Sequence, residues 1–169
     1  MPSLVLGSYD RYRAVEYAKR WAFDRNPLFD NFAGIGGDCT NFASQCIYAG
    51  AGVMNFTPTF GWYYRSAEDR APAWSGVEFF YNFLTRAESS PGPIATSSQN
   101  LTLARPGDMI QLLFEGDVFQ HTPVVISTDG SGDPSRIFVA AHSNDADCRP
   151  LDTYNYQRYR LLHIEGYFA

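Results

Sequence analysis

The feature that most restricts the fold is a change of periodicity along the chain: apolar residues recur at helical spacing up to about Ala87 and in strand-like runs after Arg105. Between Ser8 and Asp24, Ala14, Ala18 and Trp21 fall at i, i+4 and i+7, with Arg11, Glu16, Lys19 and Arg20 interspersed, which predicts an amphipathic helix. Ser8 is placed to cap it, Asp10 suits its positive end, and Asn26-Pro27 stops it. After a loop ending in Gly34-Ile35-Gly36-Gly37, the segment Asp38 to Ala49 carries Cys39, Phe42, Ala43, Cys46 and Ile47 at helical spacing, closed by Gly50 and Gly52. That second helix is apolar enough to be buried. Met54 to Trp74 has no period and reads as a long aromatic loop, Ser75 to Glu78 as a capping box opening a third helix to about Ala87, and Glu88 to Asn100 as a polar turn region. Strands follow at Met109–Phe114, Thr122–Thr128, Arg136–Ala141 and Tyr159–Phe168. The expectation is an α+β fold over one domain, residues 1–169, with N-terminal helices packed on a C-terminal antiparallel sheet.

Charge and composition exclude several functions. Thirteen Lys and Arg against 18 Asp and Glu give a net charge of −5, which argues against a phosphate-binding surface and so against nucleic acid as a partner. No run reaches the roughly 18 apolar residues of a membrane span, and Met1 to Gly7 is too short for a signal peptide. Three cysteines (39, 46 and 148) and three histidines (121, 142 and 163) hold most of the reactive chemistry. Their spacings fit neither a disulfide framework nor a structural zinc site, nothing points to calcium, and no metal or cofactor is expected.

Cys39 stands where a glycine loop meets a helix. Unpaired N–H groups and the helix dipole there favour a thiolate, predicting a lowered pKa, and the Cys39 N–H is placed to hold an oxyanion. Cys46, two turns on, reads as core, and Cys148, in a polar run, as an exposed loop thiol. A nucleophilic thiol needs a base, and His121 and His142 end neighbouring predicted strands, where a hairpin would bring them side by side with His142 orienting His121. Asn144 and Asp145 are alternative orienters, and His163, alternating with apolar residues, reads as structural. Of the loop aromatics, Trp62 and Trp74 are candidates to line a sugar or peptide groove.

The block Gly36-Gly37-Asp38-Cys39-Thr40-Asn41-Phe42-Ala43-Ser44-Gln45-Cys46, with Arg105-Pro106-Gly107-Asp108 before one strand and His121 opening the next, resembles the bacterial putative amidase domain family. That papain-like group is related to NlpC-type and CHAP cell-wall hydrolases. The resemblance extends over nearly the whole chain, through Tyr12 to Ala18, Asn26-Pro27, Trp62-Tyr63-Tyr64, Trp74 and Ala141 to Asp145. It implies a papain-like fold with Cys39 as nucleophile, His121 as base and His142 as third member. Ala33 stands where papain-like enzymes carry an oxyanion-stabilising glutamine, which leaves Asn26 and Gln45 as candidate donors.

The resulting expectation is a cysteine amidase or peptidase cleaving amide bonds of peptidoglycan or its stem peptides outside the cytoplasm, as a monomer or as part of a larger multidomain protein. An inactive cell-wall binder using the aromatic loop and an acyltransferase on the same fold are the alternatives.

Overall fold

The computed structural model describes residues 3–33 and 37–169; Gly34-Ile35-Gly36 of the predicted glycine loop lie outside the described residues. Helix α1 (Arg11–Trp21) is capped by Asp10, whose carboxylate accepts the Arg13 N–H, rather than by Ser8. A capping side chain must reach the amide three residues on, and Asp10 is the residue so placed. Ala14 and Ala18 form the buried stripe, and their small size lets α1 lie close along α2 (Cys39–Ala51). Helix α2 runs past Gly50 and ends at Gly52, which takes φ +70° and returns its N–H to the Tyr48 carbonyl. Gly50 serves packing instead: a Cβ there would lie 2.6 Å from both the Asp10 carbonyl oxygen and the Tyr9 ring.

A short helix α3 (Pro72–Ser75) precedes α4 (Val77–Leu84), which buries Phe80, Phe83 and Leu84. The expected capping box is not formed, because both of its side chains are engaged elsewhere. Ser75 Oγ accepts from Arg70 Nε at 2.9 Å, and Glu78 pairs with Arg160 at 2.9 Å.

Seven antiparallel strands make one sheet: β1 (Leu6–Gly7), β2 (Gly92–Ser98), β3 (Met109–Leu113), β4 (Val124–Thr128), β5 (Ile137–Ala141), β6 (Ala146–Pro150) and β7 (Arg158–Phe168). Their order is β1-β7-β3-β4-β5-β6, with β2 also paired along β7 from Gly92↔Phe168 to Ser98↔Leu161. The two-residue β1 falls where no strand is expected, and two longer strands also depart from expectation. The first, β2, falls in the segment read as a polar turn region, since its buried members are Gly92, Pro93 and Ala95 and its tail is Thr-Ser-Ser. The second, β6 (Ala-Asp-Cys-Arg-Pro), is equally polar, so Cys148 is exposed on a strand and not in a loop. Main-chain pairing holds both in place, and apolar alternation does not report that.

The sheet separates two cores by side-chain parity. Met109, Val124, Ile126, Ala140, Leu162 and Ile164 face the helices; Ile110, Leu112, Val125, Val139 and Leu161 face a smaller cluster with Leu101, Leu151 and Tyr154. Trp62 and Trp74 sit at the centre of the helix-side core, both 0% exposed, with ring centroids 4.7 Å apart. Their indole N–H groups donate to Ser44 Oγ (3.0 Å) and Asn41 Oδ1 (2.9 Å) of α2. The expectation that they line a groove is therefore corrected: a fully buried indole with a satisfied N–H is a packing residue. Among the described residues no helix is long and apolar enough to cross a membrane.

Candidate active site

Cys39 is the first residue of α2, and its side chain is almost completely buried. Two contacts tie the start of α2 to the chain around His121. The Cys39 sulfur lies 3.9 Å from the Gln120 carbonyl oxygen, and Thr40 Oγ1 lies 3.0 Å from Thr122 Oγ1. His121 is thus the middle residue of a three-residue segment fastened to the helix start on both sides. Its own N–H and C=O pair with Leu112, and its ring packs near Phe114 and Tyr154, with centroids 6.2 and 5.5 Å away. A cleft of about 480 Å³ opens here, lined by Gln120, His121, Ser143, Asn144, Arg149 and Tyr154 among others.

The electrostatics reverse one expectation. Burial lifts the Cys39 thiol above its ordinary pKa, and the hydrogen bonds from Thr40 and Thr122 that favour the thiolate do not overcome it. At neutral pH the sulfur is a thiol, not a helix-stabilised thiolate. His121 moves the other way: burial, aided by the Arg149 cation, pulls it down to about 4, so its imidazole is neutral and able to accept a proton.

Behind Cys39 lies a buried polar assembly centred on Asp38, itself 0% exposed. One carboxylate oxygen accepts the Phe32 N–H (2.9 Å) and Asn41 Nδ2 (2.7 Å); the other lies 2.5 Å from His142 Nδ1 and 3.3 Å from Arg25 Nε. Burial by itself would raise the Asp38 carboxyl, but the hydrogen bonds from His142, Asn41 and Phe32 outweigh it and hold the group below its ordinary value. The Asp38 N–H donates to Ser143 Oγ at 2.9 Å, joining the turn after His142 to the entry of α2.

His142 does not orient His121. Its Nδ1 faces Asp38 and its Nε2 the Trp21 carbonyl oxygen at 2.7 Å, while the ring stacks on Phe42 with centroids 4.0 Å apart. The reason is parity. Val124 and Ala140 are direct partners on the helix face, His121 is three residues before the first, and His142 is two residues after the second. An odd offset and an even one send the two rings to opposite faces of the sheet. Asp145 is likewise committed, to a bidentate pair with Arg25 at 2.9 and 3.1 Å, whereas Asn144, at φ +69°, lines the cleft beside His121.

The two side-chain oxyanion candidates meet at the Tyr17 hydroxyl. Asn26 Nδ2 donates to the Tyr17 hydroxyl at 3.2 Å, which in turn donates to Gln45 Oε1. Cys46 is fully buried, and His163 is bonded to Asp108 at 2.8 Å. Among the described residues no three His, Cys, Asp or Glu side chains converge as a metal site requires.

Four residues of this region carry no role in the sequence reading. Asp38 directly precedes Cys39, but apart from Asn41 its buried partners Phe32 and His142 are 6 and 104 residues away in sequence. Thr122 is read only as the start of a strand and Arg25 and Tyr154 carry no signal, since their contacts here are tertiary.

Residues 8–164 match the family model described as "Putative amidase domain". The uncharacterized protein YhbB of Bacillus subtilis (strain 168) is 33% identical over 165 residues, covering 92% of this chain and 50% of its own length. The chain therefore spans about half the length of that curated relative. No solved structure matches.

Proposed function

The chain belongs to the putative amidase domain family, whose description points to amide hydrolysis, and we propose that it is a papain-like cysteine amidase or peptidase acting on peptidoglycan or its stem peptides. Cys39 is the nucleophile and His121 the general base. The observation that carries this reading is the Cys39 sulfur at the N-terminus of α2, lying against the Gln120 carbonyl one residue from a neutral histidine in an open cleft.

The chemistry starts from a thiol and a neutral imidazole. His121 accepts the thiol proton as the sulfur bonds to the substrate carbonyl carbon, and the developing oxyanion is held by first-turn N–H groups of α2, that of Cys39 foremost. The imidazolium then protonates the leaving amine. Water, deprotonated by His121, attacks the thioester and returns the free thiol. No hydrogen bond joins sulfur and imidazole in the free protein, and such contacts characteristically tighten once substrate is bound. Asp38 and His142 act on the backbone: they fix where α2 begins and hence where Cys39 stands. Peptidoglycan lies outside the cytoplasm, and the proposal puts the activity there.

The test is Cys39→Ala assayed on muropeptides. A folded variant should release no product, whereas undiminished turnover rejects the mechanism.

A further inference from the structure

Three partly buried arginines, Arg11, Arg25 and Arg160, each meet a carboxylate, at 2.8, 2.9 and 2.9 Å. Arg149 does not. Half-buried on β6, it has no carboxylate partner among the described residues, and it lines the cleft that holds His121. A cation drawn partly out of water without a counter-ion is costly, and one that lines a cleft fits an anion arriving with a ligand.

The guanidinium is held in one orientation. Nε donates to Thr153 Oγ1 at 2.7 Å, Nη2 donates to the Thr153 carbonyl at 3.0 Å, and Cζ stands 3.6 Å from the centre of the Tyr154 ring. Nη1 has neither a carbonyl nor a carboxylate partner among the described residues. A fork fixed in this way has already lost the rotamer freedom that recognition otherwise costs. The Tyr154 ring also lies beside His121, with centroids 5.5 Å apart, so one aromatic ring links the cation to the proposed base. Other lining groups have donors to spare. The side-chain amides of Asn144 and Asn155 bond nothing among the described residues, and Gln120 uses its Oε1 on the Phe114 and Glu115 N–H groups, which leaves its Nε2. The single carboxylate lining the cleft is that of Glu115, an exposed residue. After burial, the Arg149 cation is also what lowers the His121 pKa, so an anion seated on Arg149 returns basicity to the imidazole.

We propose that Arg149 is the specificity-determining residue of this cleft: it binds a free carboxylate of the substrate peptide, so that the protein selects acidic peptides over their carboxamides. The inference rests on the reading above that the substrate is a peptide amide cleaved at Cys39 and His121. Converting a carboxylate to a carboxamide removes its charge at nearly constant size, and it brings an NH₂ donor to a guanidinium that can only donate. Discrimination therefore comes from a lost attraction and from an unpaired donor together.

The probes are the tetrapeptide L-Ala-γ-D-Glu-L-Lys-D-Ala and its analogue with both free carboxylates converted to carboxamides, titrated calorimetrically into Cys39→Ala so that no turnover intervenes. The acid peptide should bind about 10- to 100-fold more tightly than the amide, the range of one charge-assisted pair. Adding Arg149→Met, which keeps an unbranched stem against Tyr154, should bring the two affinities within about twofold by weakening the acid peptide alone. Arg149→Lys keeps the charge without the fork and should retain an intermediate preference. In the wild-type chain, excess acid peptide should slow alkylation of Cys39 by iodoacetamide, measured by peptide mapping, and the amide at equal concentration should not. The inference is overturned if the two peptides bind equally, if neither binds at millimolar concentration, if the preference survives a folded Arg149→Met, or if bound acid peptide leaves alkylation unchanged. Should Arg149→Met fail to fold, the affinity ratio in Cys39→Ala and its reduction by Arg149→Lys decide the matter. None of these measurements needs turnover. If they come out as expected while wild type and Cys39→Ala leave the acid peptide equally intact, the carboxylate site stands and the cysteine hydrolase reading fails.

Discussion

Helix α1 is fastened at both ends by the same three residue types, and only one of the two assemblies adjoins Cys39. At its start, Arg11 pairs with Asp108 at 2.8 Å, and Asp108 in turn bonds His163 at 2.8 Å and accepts the Arg105 and Ile164 N–H groups. At its end, Arg25 and His142 converge on Asp38, while His142 also faces the last carbonyl of the helix, that of Trp21. Both aspartates are 0% exposed. The comparison teaches that a buried Asp–His pair is a fastening device in this fold and does not itself mark catalysis. Under the proposed mechanism the pair at Asp38 bears on the reaction only because its next residue is Cys39.

The largest effects come from breaking these assemblies. Asp38→Ala and Asp108→Ala should each destabilise the protein by about 3–5 kcal/mol, since each leaves buried donors without their acceptor. Denaturant titration measures that common loss. The two variants should then part: in the fraction that remains folded, Asp38→Ala should change the alkylation rate of Cys39 and Asp108→Ala should leave it unaltered. Equal effects on Cys39 would erase the distinction between the two ends.

The histidines sharpen the comparison through pH. The folded pKa of His121, about 4, lies below its unfolded value near 6.5, so the unfolded state binds more protons between these values. Stability from this residue is present above pH 6.5 and lost as pH falls toward 4, by up to about 3 kcal/mol. His163 has the opposite sign. The hydrogen bond that His163 donates to Asp108 raises its pKa against the effect of partial burial, so its contribution is complete below pH 6.5 and disappears as pH rises through the raised folded value. Unfolding curves across pH 4–8 for His121→Gln and His163→Gln should therefore flatten opposite limbs, and loss of the same limb in both would refute the assignment.

Helix positions, the four apolar strands and the prominence of Cys39 could all be read along the chain, because periodicity and a glycine-flanked helix start are local signals. The remaining features are set by side-chain and main-chain partners outside the local pattern. The β2 strand is specified by its ladder to β7, and Ser75 and Glu78 are diverted from a cap by Arg70 and Arg160. For His121 and His142 the topology was right and the face was wrong. Strand ends can be matched from a hairpin alone, but whether two rings share a face depends on a register that differs by a single residue.

Smaller effects test the junction between α1 and α2 without touching either aspartate. At Gly50 an added methyl meets the Asp10 carbonyl oxygen and the Tyr9 ring at 2.6 Å, so Gly50→Ala should cost about 1–3 kcal/mol despite alanine's better helix propensity. Asp10→Ala removes the side-chain bond to the Arg13 N–H and an exposed ion pair with the Arg13 guanidinium at 3.5 Å, and should cost about 1 kcal/mol. The backbone bond from the Asp10 N–H to the Gly50 carbonyl, 2.9 Å long, survives that second change. A larger loss for Asp10→Ala than for Gly50→Ala, read from denaturant midpoints at constant m-value, would mean that α1 is held by its cap more than by its close approach to α2.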